Sequence, residues 1–112
     1  MQPRYEKRIV LRFLVTLTTS SQSGEGWLLD LTSLGGLIES SVPVQKGQSL
    51  QLKLFLPGLE SPLVIMLGVV RWTMGKQFGV EFIKMDELDR LILNGYVAQR
   101  LPALARPWTK EC

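Results

Sequence analysis

Residues 48–56 constrain this chain more than any other stretch. Leucine recurs at Leu50, Leu52, Leu54 and Leu56, with Ser49, Gln51, Lys53 and Phe55 between. A period of two puts the leucines on one face of an extended strand, whereas a helix would scatter them. The same period runs through 9–19, where Ile9, Leu11, Phe13, Val15 and Leu17 share a face. Val10 and Leu14 make the opposite face partly apolar, so another element is expected to cover it. Phe78, Val80 and Phe82 line one face of 77–83, and shorter apolar runs occupy 27–30 and 36–40, with a long one at 63–72. Turn signals separate them: polar Ser20 to Gly26, a loop with Pro43 and Gly47, Pro57 to Pro62, and Thr73 to Lys76. Six short strands at hairpin spacing predict a closed antiparallel barrel, because closure removes exposed sheet edges.

From Asp86 the period changes. Leu88, Leu91, Ile92 and Tyr96 recur at helical spacing, Asp86 suits an N-cap, acidic residues fill the first turn, and Pro102 ends the run. The expectation is a mainly β chain: a six-stranded antiparallel β-barrel over 9–83 and a C-terminal α-helix over 86–101. That apolar face would lie against an open barrel end or a sheet face. A basic arm, 1–8, precedes the barrel and a tail without clear period, 102–112, follows. At 112 residues this is one domain.

Composition narrows the chemistry. Hydrophobic residues at 46% and charged ones at 21% suit a folded soluble chain over a disordered one. No apolar run reaches membrane-spanning length, and Arg4, Glu6, Lys7 and Arg8 interrupt any secretory signal, so a cytoplasmic location without membrane insertion is expected. A lone Cys112 allows neither an internal disulfide nor a cysteine metal site. The complete lack of histidine removes Ser-His and Cys-His catalysis, His-ligated zinc and the usual neutral-pH acid/base. Asp86, Glu87 and Asp89 stand where a helix begins and suit its dipole better than catalysis. Neither an enzyme, a metal nor a cofactor is expected.

The charge is unevenly placed. Residues 1–12 hold Arg4, Lys7, Arg8 and Arg12 against Glu6, and the rest of the chain is balanced, so the whole net +3 sits in the N-terminal segment. A diffuse basic surface would suggest nucleic acid. A concentrated arm suggests a small anionic target or a solvated tail. The second polar concentration is Asp30-Leu31-Thr32-Ser33-Leu34-Gly35-Gly36, a turn between two apolar runs. Asp30 can accept two hydrogen bonds, Thr32 can donate or accept, and the two glycines permit positive φ or close approach to the backbone. Taken alone, the stretch also suits an ordinary Asx or Ser/Thr turn.

Taken together the two segments say more. Arg4 to Arg8 has the form RxxxR, and Asp30 to Gly35 the form (D/N)xSxxG with Thr32 in the serine place. In this order, with one strand between them, they resemble the PilZ domain, a bacterial receptor for cyclic di-GMP. Gly68 to Trp72 and Phe78 to Ile83 are similar to that family's last two barrel strands. The resemblance implies a non-catalytic receptor whose ligand, cyclic di-GMP, is clamped between the arginine arm and the Asp30–Gly36 turn, with a protein partner downstream. The site residues it implies are Arg4, Arg8, Asp30, Thr32, Gly35 and Gly36. Arg12 forms a second RxxxR with Arg8 but is expected inside the first strand, so it stands in reserve. A ligand-blind PilZ-like interaction scaffold is the alternative, and a barrel that stacks single-stranded nucleic acid is a third reading disfavoured by the localised charge. Arg71-Trp72 could form a stacking platform, but a tryptophan late in a strand reads first as core or barrel rim.

Overall fold

The computed structural model describes residues 12–100; Arg4 and Arg8 lie outside them. The alternating runs form β1 (Phe13–Thr18), β2 (Ser23–Leu31), β3 (Gly35–Ser40), β4 (Ser49–Leu54), β5 (Leu63–Met74) and β6 (Gln77–Met85). All neighbours pair antiparallel in the ring order β1-β2-β3-β6-β5-β4, and β1 closes the barrel against β4. Among the described residues a single helix, α1 (Glu87–Arg100), follows.

The period of two predicts the interior. Leu50, Leu52, Leu54 and Leu56 are all buried, as are Val15 and Leu17 from β1, Leu28 from β2, Ile38 from β3 and Phe78 from β6. Each such side chain contributes about 1.5–3 kcal/mol by leaving water. Truncating a fully enclosed one, such as Leu52→Ala, costs about 2–5 kcal/mol.

Several boundaries differ from expectation: β5 runs on to Met74 and β6 to Met85, so the connection expected over Thr73 to Lys76 shrinks to Gly75 and Lys76. Arg12 stands immediately before β1 and not within it. The turn expected over 20–26 is much shorter, because β2 starts at Ser23. Thr19 closes it: its amide donates to the Gln22 carbonyl at 2.7 Å, and its Oγ1 accepts from the amides of Ser21 and Gln22 at 3.3 and 3.1 Å. Gly24 and Gly26 hide the strand in the sequence. They are strand residues pressed under Val42 and β3, with no side chain to carry an alternating pattern.

The helix begins where expected but rests on a different face. Asp86 caps it, its Oδ2 accepting from the Leu88 amide at 3.2 Å. Asp89 Oδ2 accepts from the Val64 amide at 3.1 Å, tying the first turn to the start of β5. That tie sets the rotation of the helix. Leu93 and Tyr96 are buried and Ile92 and Val97 pack on the core, whereas Leu88 and Leu91 are each 63% exposed.

Candidate functional site

One end of the barrel is shaped by two irregularities in strand pairing. On β2, Leu28 pairs with Ile38 and Asp30 with Leu37, which leaves Leu29 as an extra residue. On β5, Val70 pairs with Val80 and Trp72 with Gly79, which leaves Arg71 as the extra one. A β-bulge of this kind reverses the side on which all later side chains fall. The burial pattern records both reversals. Leu28 and Leu31 are both buried although three positions apart, so Asp30 is released from the interior. Val70 is fully buried, yet Trp72, two positions on, is 42% exposed.

Between the bulges lies an open cleft of about 320 Å³. Asp30, Thr32, Leu34, Gly35 and Gly36 form one wall; Arg71 and Trp72 of β5 with Gly79, Val80 and Glu81 of β6 form the other. β3 and β6 hold the walls together through the pairs Gly35–Glu81 and Gly36–Val80.

The turn is built by its own side chains. Thr32 N donates to the Gly35 carbonyl at 2.9 Å. Thr32 Oγ1 accepts from the amides of Leu34 and Gly35 at 3.1 and 3.2 Å and donates to the Gly35 carbonyl at 3.3 Å. The hydroxyl therefore shapes the loop, which is why threonine serves in place of serine: both offer it, and the added methyl is on an exposed residue. Asp30 Oδ1 accepts from the Leu31 amide at 2.9 Å, and the half-buried carboxylate faces the cleft. Two further bonds fix the turn from outside. The Phe82 amide donates to the Leu34 carbonyl at 2.8 Å, and Arg90 Nη1 of α1 donates to the Ser33 carbonyl at 3.0 Å.

Gly35 and Gly36 are needed for closeness and not for positive φ, which among the described residues occurs at Gly47, Gly58 and Gly75. A Cβ on Gly35 would overlap the Val80 carbonyl oxygen. One on Gly36 would come within 2.9 Å of Leu28 Cδ1 and 3.1 Å of the Asp30 carbonyl oxygen. The glycines thus let β3 approach β6 and β2, instead of opening the turn to an outside molecule.

On the opposite wall, Arg71 Nε donates to Glu81 Oε1 at 2.6 Å. Both side chains are about half exposed, so solvent screens the pair and it adds little stability. The Trp72 indole lies directly on the Gly79 backbone, and a Cβ there would overlap its Nε1. Arg71 and Trp72 are the cleft residues that sequence reading set aside. Their bulge, and the glycine opposite, are the signals that would have recovered them.

Arg12 points elsewhere. Its guanidinium lies 5.4 Å from the centre of the Trp27 ring and 3.7 Å from Glu39 Oε1, and it is not among the residues lining the cleft. Among the described residues no cluster of acidic or cysteine side chains could hold a metal ion, and no helix is long and apolar enough to cross a membrane.

A closed six-stranded barrel with a polar turn and an Arg-Trp strand facing one another at its end defines a binding module. The sequence model of the PilZ domain matches residues 2–99, and the chain belongs to that family. PilZ domains are in general non-catalytic cyclic di-GMP receptors. Among solved structures, the chain is similar to the Bacillus subtilis inhibitor of motility MotI/DgrA, with a TM-score of 0.71, 19% identity and coverage of 88% of this chain. It spans about half of that protein, 51% of its length. It is also similar to the PilZ domain of CeSA from a cellulose-synthesizing bacterium, with a TM-score of 0.66, 14% identity and coverage of 83% of this chain and 96% of that one. At these identities the likeness establishes the fold. No curated protein matches the chain significantly.

Proposed function

We propose that this chain binds cyclic di-GMP in the cleft between the Asp30–Gly36 turn and the Arg71-Trp72 strand, with Arg4 and Arg8 closing over the ligand. The convergence of Asp30, Arg71 and Trp72 on one cleft, brought about by two bulges, carries this reading. Each side chain suits a different part of the ligand. Asp30 can accept from the guanine N1–H and amino group, which adenine does not offer in that arrangement. Trp72, seated on Gly79 and partly exposed, offers a stacking face for a base. Arginine can fork onto a phosphate or onto guanine O6 and N7.

Strand register supports the part given to the arm. Phe13 pairs with Leu28, so β1 begins at the barrel end where β2 runs on to Asp30. Arg8 is five positions earlier in the chain, a span of at most about 17 Å. A cleft of this size takes one base and its adjoining phosphate, leaving the remainder of a dinucleotide for the arm to cover. Such a receptor is non-catalytic, works in the cytoplasm where the nucleotide is read, and reports occupancy to a protein partner.

Titration calorimetry with cyclic di-GMP, cyclic di-AMP, GTP and a short single-stranded oligonucleotide tests the proposal. Saturable binding of cyclic di-GMP well ahead of the other three is expected. Absence of binding for all four would replace the proposal with a scaffold that works through protein contacts alone, and equal binding would replace it with a barrel that takes nucleotides without discrimination.

A further inference from the structure

The Asp30–Gly36 turn is held from outside the barrel as well as by its own strands. Arg90 Nη1 donates to the Ser33 carbonyl at 3.0 Å, a contact that joins residues 57 positions apart. Ser33 lies between Thr32, whose hydroxyl organises the turn, and Leu34, whose carbonyl is bonded to β6. Arg90 lies early in α1, where its amide makes a first-turn hydrogen bond to the Asp86 carbonyl at 2.9 Å. A cation so near a helix N-terminus opposes the helix dipole, so helix stability does not explain it. A residue that breaks a local rule while making a long-range polar contact marks a position kept for another purpose.

From this geometry we infer that Arg90 is a positioning residue that couples the ligand turn to α1, an inference that rests on the cleft being the ligand site. A charged donor on a backbone carbonyl fixes the turn's outward position while leaving Asp30 and Thr32 to the cleft. The coupling runs both ways, because a contact that biases the helix when the turn is ordered must bias the turn when the helix is seated. The second tie of α1 to the barrel, Asp89 to Val64, sits one residue away on a separate strand. Arg90 therefore links turn and helix without being what docks the helix.

Amide hydrogen exchange on the wild type, Arg90→Ala and Arg90→Lys, each with and without cyclic di-GMP, tests the link. In the free proteins, R90A should exchange faster at Leu34 and Gly35, the amides bonded to Thr32, and R90K should restore part of the protection. In the wild type, cyclic di-GMP should slow exchange in the turn and in residues 91–97 of α1. In R90A the turn should still respond while the helix response is lost, and affinity should fall by about 5- to 10-fold. Unchanged turn exchange in free R90A, or an undiminished helix response, would overturn the coupling. Failure of the wild type to bind cyclic di-GMP would instead overturn the functional reading, and the ligand-free comparison would still decide the Arg90 link.

Discussion

Trp72 and Gly79 are matched surfaces: the indole of one rests on the bare backbone of the other, with no room for a methyl group between. The bulge at Arg71 turns the ring out of the core, and the glycine leaves room for it against the sheet. Gly79→Ala should therefore push the ring off its seat. Binding of cyclic di-GMP should weaken by about 1–3 kcal/mol, as for loss of a stacked base, and Trp72→Ala should do the same. Calorimetry with thermal melts checks this. G79A with full affinity would remove Trp72 from the site.

Asp30 reads the base edge in the proposed complex. Asp30→Ala should reduce the preference for cyclic di-GMP over cyclic di-AMP more than it reduces affinity for both. Parallel titrations of the two nucleotides measure the ratio. Equal loss on both would mean that the carboxylate only holds the turn through its bond to the Leu31 amide.

Thr32 separates shape from contact. Thr32→Ser keeps the hydroxyl that accepts from Leu34 and Gly35 and should bind as the wild type does. Thr32→Val removes it and should weaken the turn by about 0.5–1.5 kcal/mol, the net worth of a hydrogen bond. Exchange of the two amides gives the direct readout, and slow exchange in T32V would show that the backbone pairing suffices.

The arginines should divide by place. Arg8→Ala should cost about 2–3 kcal/mol of binding, roughly 30- to 150-fold, if the side chain forks onto phosphate or guanine. Arg4→Ala should also weaken binding more than Arg12→Ala does. Arg12 is engaged with Trp27 and Glu39, where an exposed cation–π contact is worth about 0.5–1 kcal/mol to the fold. If R12A lost more affinity than R4A, Arg8 and Arg12 would be the binding pair.

Salt gives an independent check on the arm. Attraction between exposed arginines and phosphates is screened over about 8–10 Å at moderate ionic strength. Affinity should fall steadily as sodium chloride rises, and the slope should be shallower in R8A. A slope that the substitution leaves unchanged would mean that Arg8 stays away from the phosphates.

The barrel was legible because strand alternation is a local property, and Leu50 to Leu56 announce their common face without reference to any neighbour. The turn was legible for the same reason, since Asp30, Thr32 and Gly35 fall within one short segment. What stayed hidden depends on pairs of segments. Nothing within β5 alone says that Arg71 is an extra residue, and the answer lies in its register with Val80 and Gly79. Leu88 and Leu91 are as apolar as Ile92 and Leu93, and the choice between the two faces is made by Asp89 reaching Val64. The Arg90–Ser33 bond spans too much chain for any spacing rule to find.

The bulges also make the site depend on counting. Were Leu29 drawn into regular pairing instead of bulged, strict alternation from the buried Leu28 would return Asp30 to the barrel side. Drawing Arg71 into regular pairing would do likewise for Trp72 and turn a large ring toward the interior that Val70 occupies. Side chains around the cleft can therefore be exchanged one at a time, but a change of pairing by one residue at either bulge would turn a wall of the site inside out. Insertions should accordingly be tolerated in the 42–47 and 57–62 loops, whereas one between Leu28 and Asp30 or between Val70 and Trp72 should disturb the site even where every other side chain is kept.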